Sequence, residues 1–243
     1  MRKEIFPVAI LAGGLAQRLR PLTETIPKAL IEIQGEPFVA HQLRLLKERG
    51  IQRVILCVGY RGEMIQEFIG SGARYGIQVE FSFDGPCLLG TAGALKKALP
   101  LLGESFFVLY GDSYLPCDYR KIQSAFEHKG RLALMTVFRN KGQWDRSNVE
   151  FVGGGIRRYD KERQTARMRH IDYGLGVFQK KALEIAPGDQ PWDLARLYQD
   201  LLGKRELAAY EVKERFYEIG SFSGLEELRL YLAEQFSPSK EPS

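Results

Sequence analysis

The stretch Val8-Ala9-Ile10-Leu11-Ala12, followed by Gly13-Gly14, constrains the fold more than any other part of the chain. An apolar run without polar alternation reads as a strand buried on both faces, the position of an inner strand in a parallel sheet. The two glycines mark an abrupt exit from that sheet. Lacking Cβ atoms, they let backbone N–H groups come close to a ligand and adopt dihedrals other residues avoid. Arg18 and Lys28 add fixed positive charge in the same segment. This combination suits a polyphosphate, and it also fits a plain strand-to-helix turn with two surface cations.

The residues that follow repeat one rhythm. Val39, Leu43 and Leu46 give one apolar face to a helix over Glu36 to Gly50, and Arg53 to Gly59 reads as a buried strand. Met64, Ile65, Phe68 and Ile69 mark a second helix, and Ile77, Val79, Phe81 and Phe83 alternate as a strand does. A helix over Thr91 to Leu99 leads to the apolar run Phe106 to Tyr110. Alternating strands and helices predict an α/β fold with a parallel sheet covered on both faces, its ligand loops at the carboxyl ends of the strands. Three loops fall there: the glycine loop after Leu11, Asp84 to Thr91, and Gly111-Asp112.

From Tyr119 the pattern changes. A helix to about Glu127, a strand over Leu132 to Phe138, and a hairpin of Val149 to Phe151 with Ile156 to Tyr159 around Gly153-Gly154-Gly155 are expected. A strand over Asp172 to Phe178, helices at Lys180 to Ile185 and Trp192 to Leu202, and a short strand at Phe216 to Ile219 follow. The last helix, Leu225 to Phe236, carries Leu228, Leu232 and Phe236 on one face. No linker separates the two halves, so 1–236 reads as a single domain with antiparallel additions to one sheet. Ser237 to Ser243 reads as a disordered polar tail.

Other phosphate motifs fail on inspection. A dinucleotide fingerprint needs a third glycine where Ala16 and Gln17 stand, and Gly85 to Gly90 has the spacing of a Walker loop without its lysine. The net charge of +5 is spread among 30 acidic residues, with no basic stripe to suggest nucleic-acid binding. No apolar segment is long enough to span a membrane, and Glu4 and Pro7 precede the first apolar run, unlike a signal peptide. Cys57, Cys87 and Cys117 lack metal-ligand spacing and read as reduced, buried thiols of a cytoplasmic protein. His41, His128 and His170 are isolated and read as structural or solvent-facing.

Leu11-Ala12-Gly13-Gly14, Arg18-Leu19, Pro21-Leu22-Thr23 and Pro27-Lys28 together resemble the first signature of the sugar-1-phosphate nucleotidylyltransferases. Ala16 and Gln17 depart from it, standing where the family carries Gly-Thr. The resemblance runs from Val8 to about Gly224. It implies a Rossmann-like three-layer sandwich with a mostly parallel central sheet and an antiparallel C-terminal addition, the GT-A-like nucleotidyltransferase fold. A nucleotide-binding half would extend to about residue 115, with a sugar-phosphate-binding half after it.

The resemblance also implies roles. Leu11, Ala12, Gly13, Gly14, Asp84, Gly90 and Thr91 would bind the nucleotide, and Arg18, Lys28 and Asp112 would be catalytic. Thr91 would equally serve as a helix cap and Asp84 as a turn residue. Asp112 and Glu218 would hold Mg²⁺; Glu218 stands where the family carries Asp, and the alternative reading is a cap for the turn that follows it. Asn148, Lys161, Tyr173 and Gly174 would bind the sugar phosphate, with Lys161 in Asp160-Lys161-Glu162 also readable as a solvated charge.

The implied partners are an NTP and a sugar 1-phosphate, neither nucleic acid nor membrane, with a homodimer as the assembly common among relatives. GTP with a mannose or heptose 1-phosphate is the pairing this short form most resembles. A cytidylyltransferase acting on phosphocholine, or a sugar-nucleotide-binding regulator without turnover, are the alternatives.

Overall fold

The computed structural model describes residues 4–144, 146–185 and 191–236. Strand β1 (Val8–Leu11) lies inside the sheet, as its apolar run requires, hydrogen-bonded in parallel to β4 (Arg53–Val58) and to β6 (Ser105–Tyr110). A small antiparallel pair, β2 (Glu32–Ile33) and β3 (Glu36–Pro37), precedes helix α1 (Phe38–Glu48). Helix α2 (Gly62–Ile69), strand β5 (Gln78–Phe83) and helix α3 (Gly90–Leu102) complete the parallel half.

The second half contributes β7 (Ser113–Tyr114), α4 (Tyr119–Lys129), β8 (Ala133–Arg139), β9 (Val149–Val152), β10 (Gly155–Tyr159) and β11 (His170–Gln179). It closes with α5 (Leu194–Gly203), β12 (Leu207–Val212), β13 (Tyr217–Glu218) and α6 (Phe222–Phe236). The main path of the sheet runs β10-β9-β11-β6-β1-β4-β5, with β8 on β11 and β12 on β8. Strands β1, β4, β5 and β6 are parallel, and β11 enters antiparallel beside β6.

Alternation along β1 shows how the layers form. Val8 and Ile10 join a core with Val39, Leu43 and Leu46 of α1, Ile65 and Ile69 of α2, and Ile122 and Phe126 of α4. Ala9 points the other way, into a core with Leu95, Ala98 and Leu102 of α3 and Leu194, Leu197 and Leu201 of α5. The result is helix, sheet, helix, as anticipated. A third, smaller core gathers Leu19, Ile31, Ile33, Phe38, Tyr114, Ile219, Leu225, Leu228 and Leu232 beneath the carboxyl edge of the sheet.

Several expectations need correction. The additions are not all antiparallel, because β12, which the sequence reading passed over, pairs in parallel with β8. Helix α1 starts at Phe38 rather than Glu36, since Glu36 and Pro37 form the edge pair with β2. Lys180 to Ile185 is a 3₁₀ turn rather than an α-helix. Cys57 and Cys117 are buried, their thiols pushed up to about 12 by desolvation, whereas Cys87 is exposed. The expected tail at 237–243 and the side chain of Phe236 lie outside the described residues. No helix among the described residues is long and apolar enough to cross a membrane.

Candidate active site

The carboxyl ends of β1, β4 and β6 converge on one edge. Gly111, just past β6, donates its N–H to the Leu11 carbonyl at 3.0 Å, and Ala12 donates to the Cys57 carbonyl at 2.8 Å. A Cβ on Gly111 would lie 2.4 Å from the Leu11 oxygen, so only glycine lets these strand ends come together. Asp112 follows directly, and Lys28 Nζ donates to its Oδ2 at 3.0 Å.

The small core sets the remaining groups. Arg18 precedes buried Leu19, Glu218 precedes buried Ile219, and Ile219 donates its N–H to the Asp112 carbonyl at 2.9 Å. β13 pairs Glu218 with Ser113, the residue that follows Asp112. Arg18, Asp112 and Glu218 all face one point: a Cβ on Gly220 would lie 3.4 Å from Arg18 Nη2, 3.4 Å from Asp112 Oδ2 and 2.5 Å from Glu218 Oε2.

Glu218 fulfils the turn-cap reading of its sequence. Its carboxylate accepts from the Gly220 N–H and from Ser221 Oγ, so it does cap the following turn. The extra methylene relative to Asp is accommodated by glycines, since a Cβ on Gly224 would lie 2.3 Å from Glu218 Oε1. It remains beside Asp112. Carboxylate oxygens are the hard donors Mg²⁺ takes, and here Asp112 Oδ2 is paired with Lys28 and Glu218 Oε2 with the Gly220 N–H. No cluster of three or more potential metal ligands occurs among the described residues.

Two adjoining clefts open at this edge. The smaller, about 240 Å³, is lined by Leu11, Ala12, Gly13, Gly14, Asp84, Gly90 and Thr91 together with Lys28 and Asp112. All seven nucleotide-site residues expected from the sequence therefore meet there. In the loop that departs from the family pattern, Ala16 takes φ 48°, the left-handed region that glycine favours, and its carbonyl accepts from Thr23 Oγ1 at 2.9 Å.

Thr91 is not the cap of its own helix. Its Oγ1 accepts the Leu194 N–H at 2.6 Å, so it caps α5, while the Trp192 carbonyl accepts the Ala92 N–H at 2.8 Å. Asp84 is 8% exposed, and burial raises its carboxyl pKa, opposed by the Leu89 N–H and by Lys97.

The larger cleft, about 880 Å³, takes in Arg18, Asp112, Glu218, Asn148, Lys161, Tyr173 and Gly174. Arg18 thus opens onto this cleft rather than lining the smaller one. Tyr110 and Asp112 line both. Neither cleft contains a histidine among its described lining: His41 Nε2 bonds the Ile33 carbonyl at 2.8 Å, and His170 lies 3.2 Å from Glu211.

Sequence reasoning missed Tyr110 and Asp193, which also line the smaller cleft, and Trp144 and Phe216 in the larger one. Tyr110 could have been found as the strand residue just before Gly111-Asp112. The others arrive from distant segments and carry no local signal.

A family model for nucleotidyl transferase matches residues 8–147. The chain is 29% identical over 202 residues to a UTP--glucose-1-phosphate uridylyltransferase of Synechocystis sp., covering 76% of this chain and 52% of that protein. It is 32% identical over 181 residues to the mannose-1-phosphate guanylyltransferase catalytic subunit beta of Xenopus tropicalis, covering 72% and 50%. The chain spans about half the length of these relatives. Among solved structures, HddC from Yersinia pseudotuberculosis complexed with GMP-PN superposes with a TM-score of 0.78 at 25% identity, covering 94% of this chain and all of that one.

Proposed function

The chain belongs to the nucleotidyl transferase family, and on that footing we propose that it transfers a nucleoside monophosphate from an NTP to a sugar 1-phosphate, releasing pyrophosphate. The observation that carries this reading is the meeting of two clefts at Asp112, with Lys28 paired to it at the junction. A reaction that joins two phosphates needs two anion sites sharing one cationic border.

In this reading an oxygen of the sugar phosphate attacks the α-phosphorus in line with the departing pyrophosphate. The protein's task is to align two polyanions that repel each other. Backbone N–H groups of the Gly13-Gly14 loop and Lys28 hold the nucleotide phosphates, Arg18 neutralises charge from the larger cleft, and Lys161 holds the acceptor phosphate. Asp112 and Glu218 would hold Mg²⁺, which when bound supplies charge neutralisation at the transferring phosphoryl group. A phosphate nucleophile is already ionised near neutral pH, so no general base is needed, in keeping with clefts whose described lining holds no histidine.

The base is read by Asp84. Its carboxylate can accept two N–H donors from one base edge, which guanine presents and uracil does not. The naming of the guanylyltransferase relative and the GMP-PN complex support GTP, with a mannose or heptose 1-phosphate as acceptor. Pyrophosphate release from GTP, UTP, CTP, ATP and dTTP against mannose, heptose and glucose 1-phosphates and phosphocholine tests the whole reading. GTP with a sugar phosphate should be fastest. Tight nucleotide binding with no pyrophosphate from any pairing would instead mark a binding regulator.

Asp84→Asn supplies a second test with two signs. The variant should weaken GTP binding about tenfold, the scale of one hydrogen bond to a charged group. It should also raise the urea midpoint. A carboxyl whose folded pKa is raised stabilises below its unfolded pKa and loses that stability as pH rises through the folded value. The gain over wild type should thus be largest at pH 7 and fade towards pH 4.

A further inference from the structure

Resting on the proposed acceptor role of Lys161, we infer that Asp172 is a positioning residue that fixes the Lys161 ammonium at the floor of the larger cleft. Asp172 lies where the β11–β8 register slips between Asp172 and Gly176, a slip helped by Gly174 at φ 95°. Such irregularities re-aim side chains. Here the carboxylate turns into the cleft floor, with its side chain only 3% exposed.

Its oxygens are already engaged. Oδ2 accepts from Tyr110 Oη at 3.3 Å and from Tyr159 Oη at 3.2 Å, and Oδ1 accepts from the Gly174 N–H at 3.1 Å. Burial raises the pKa of both tyrosines, keeping them protonated as donors. The Asp172 N–H donates to Asn148 Oδ1 at 2.9 Å, which fixes the backbone as well. These donors take three of the roughly four acceptor sites of the carboxylate, both of those on Oδ2 among them.

What Asp172 still offers is its charge. Among the described residues, the cation in ion-pair reach is Lys161, with Nζ 3.9 Å from Oδ2 and 5.1 Å from the centre of the Tyr110 ring. An ammonium on a four-carbon stem that is 45% exposed would otherwise sample many rotamers. A buried anion on one side and an aromatic face on the other hold it at the wall shared by the two clefts, since Tyr110 lines both. Burying a carboxylate is costly. A cation held ready for an incoming phosphate gives that cost a purpose.

A double-mutant cycle tests this by calorimetric titration of mannose 1-phosphate and of inorganic phosphate into wild type, Asp172→Asn, Lys161→Ala and the double variant. Asp172→Asn and Lys161→Ala should each weaken binding about tenfold, and the double variant should bind no more weakly than Lys161→Ala alone. Affinity for GTP should change less than twofold throughout. Tyr159→Phe, which removes one donor to Asp172 from outside the cleft lining, should weaken mannose 1-phosphate binding a few-fold, and it serves as the test if Asp172→Asn fails to fold.

Losses that multiply in the double variant, full affinity in Asp172→Asn, or no binding of either probe to wild type would overturn the inference. Turnover by wild type in the pyrophosphate assay alongside any of these results would leave the proposed reaction standing.

Discussion

Asp112→Ala is expected to lower turnover by on the order of 10² or more while the protein stays folded, the cost of losing one preorganised electrostatic contact in a transition state. Stability should barely move. The Lys28–Asp112 pair is partly open to solvent, with side chains 19% and 31% exposed, and such pairs contribute little to folding.

Lys28→Ala should lower turnover comparably, yet the two variants should diverge in binding. Lys28 spends a donor on Asp112 at 3.0 Å, unlike Lys161, which stands 3.9 Å from Asp172 beyond hydrogen-bond reach; without Asp112 that donor is released to phosphate, so NTP affinity measured without metal should hold or rise. Without Lys28, Asp112 faces the incoming triphosphate as an uncompensated anion, and the same affinity should fall. Pyrophosphate release and metal-free nucleotide titration on both variants check this. Rates near wild type in either one would remove the junction from the mechanism.

What could be read from the sequence was what is local. The run into Gly13-Gly14 and the run into Gly111-Asp112 each say that a buried strand ends and a ligand loop begins, and a parallel sheet puts all such ends on one edge. Seven expected nucleotide-site residues accordingly line one cleft. Thr91 shows where local reading stops: a hydroxyl at a helix start looks like that helix's own cap, and only the fold brings the Leu194 N–H to it.

Asp172 shows the same limit, since the tyrosines that hold it come from β6 and β10. Strand β12 was missed because Ala208, Ala209 and Glu211 leave it neither an apolar β-branched run nor a clean alternation to mark it. Glu218 left two readings open because a metal ligand and a turn cap need the same carboxylate at the same strand end, and here the carboxylate caps the turn while facing Asp112.

Gly111→Ala is expected to damage both stability and turnover through a single added methyl. The added Cβ would lie 2.4 Å from the Leu11 oxygen and 2.9 Å from the Ala12 Cα, both backbone atoms. They cannot swing aside as a side chain would, because Leu11 pairs with Cys57 on one side and Tyr110 on the other, and the Ala12 N–H is held by the Cys57 carbonyl. Relief must come from parting the ends of β1 and β6, which should cost about 1–3 kcal/mol, the range for overpacked sites.

The same parting carries Asp112 and the Gly13-Gly14 loop away from each other. A displacement on the order of 1 Å is enough for about a hundredfold loss of rate. Gly14→Ala is the control for stability, since a Cβ there meets nothing within 4 Å. Urea unfolding of both variants, with pyrophosphate release for Gly111→Ala, decides the matter. If Gly111→Ala unfolds at the same midpoint as Gly14→Ala and turns over at the wild-type rate, the tight approach of the two strands is not what places the aspartate.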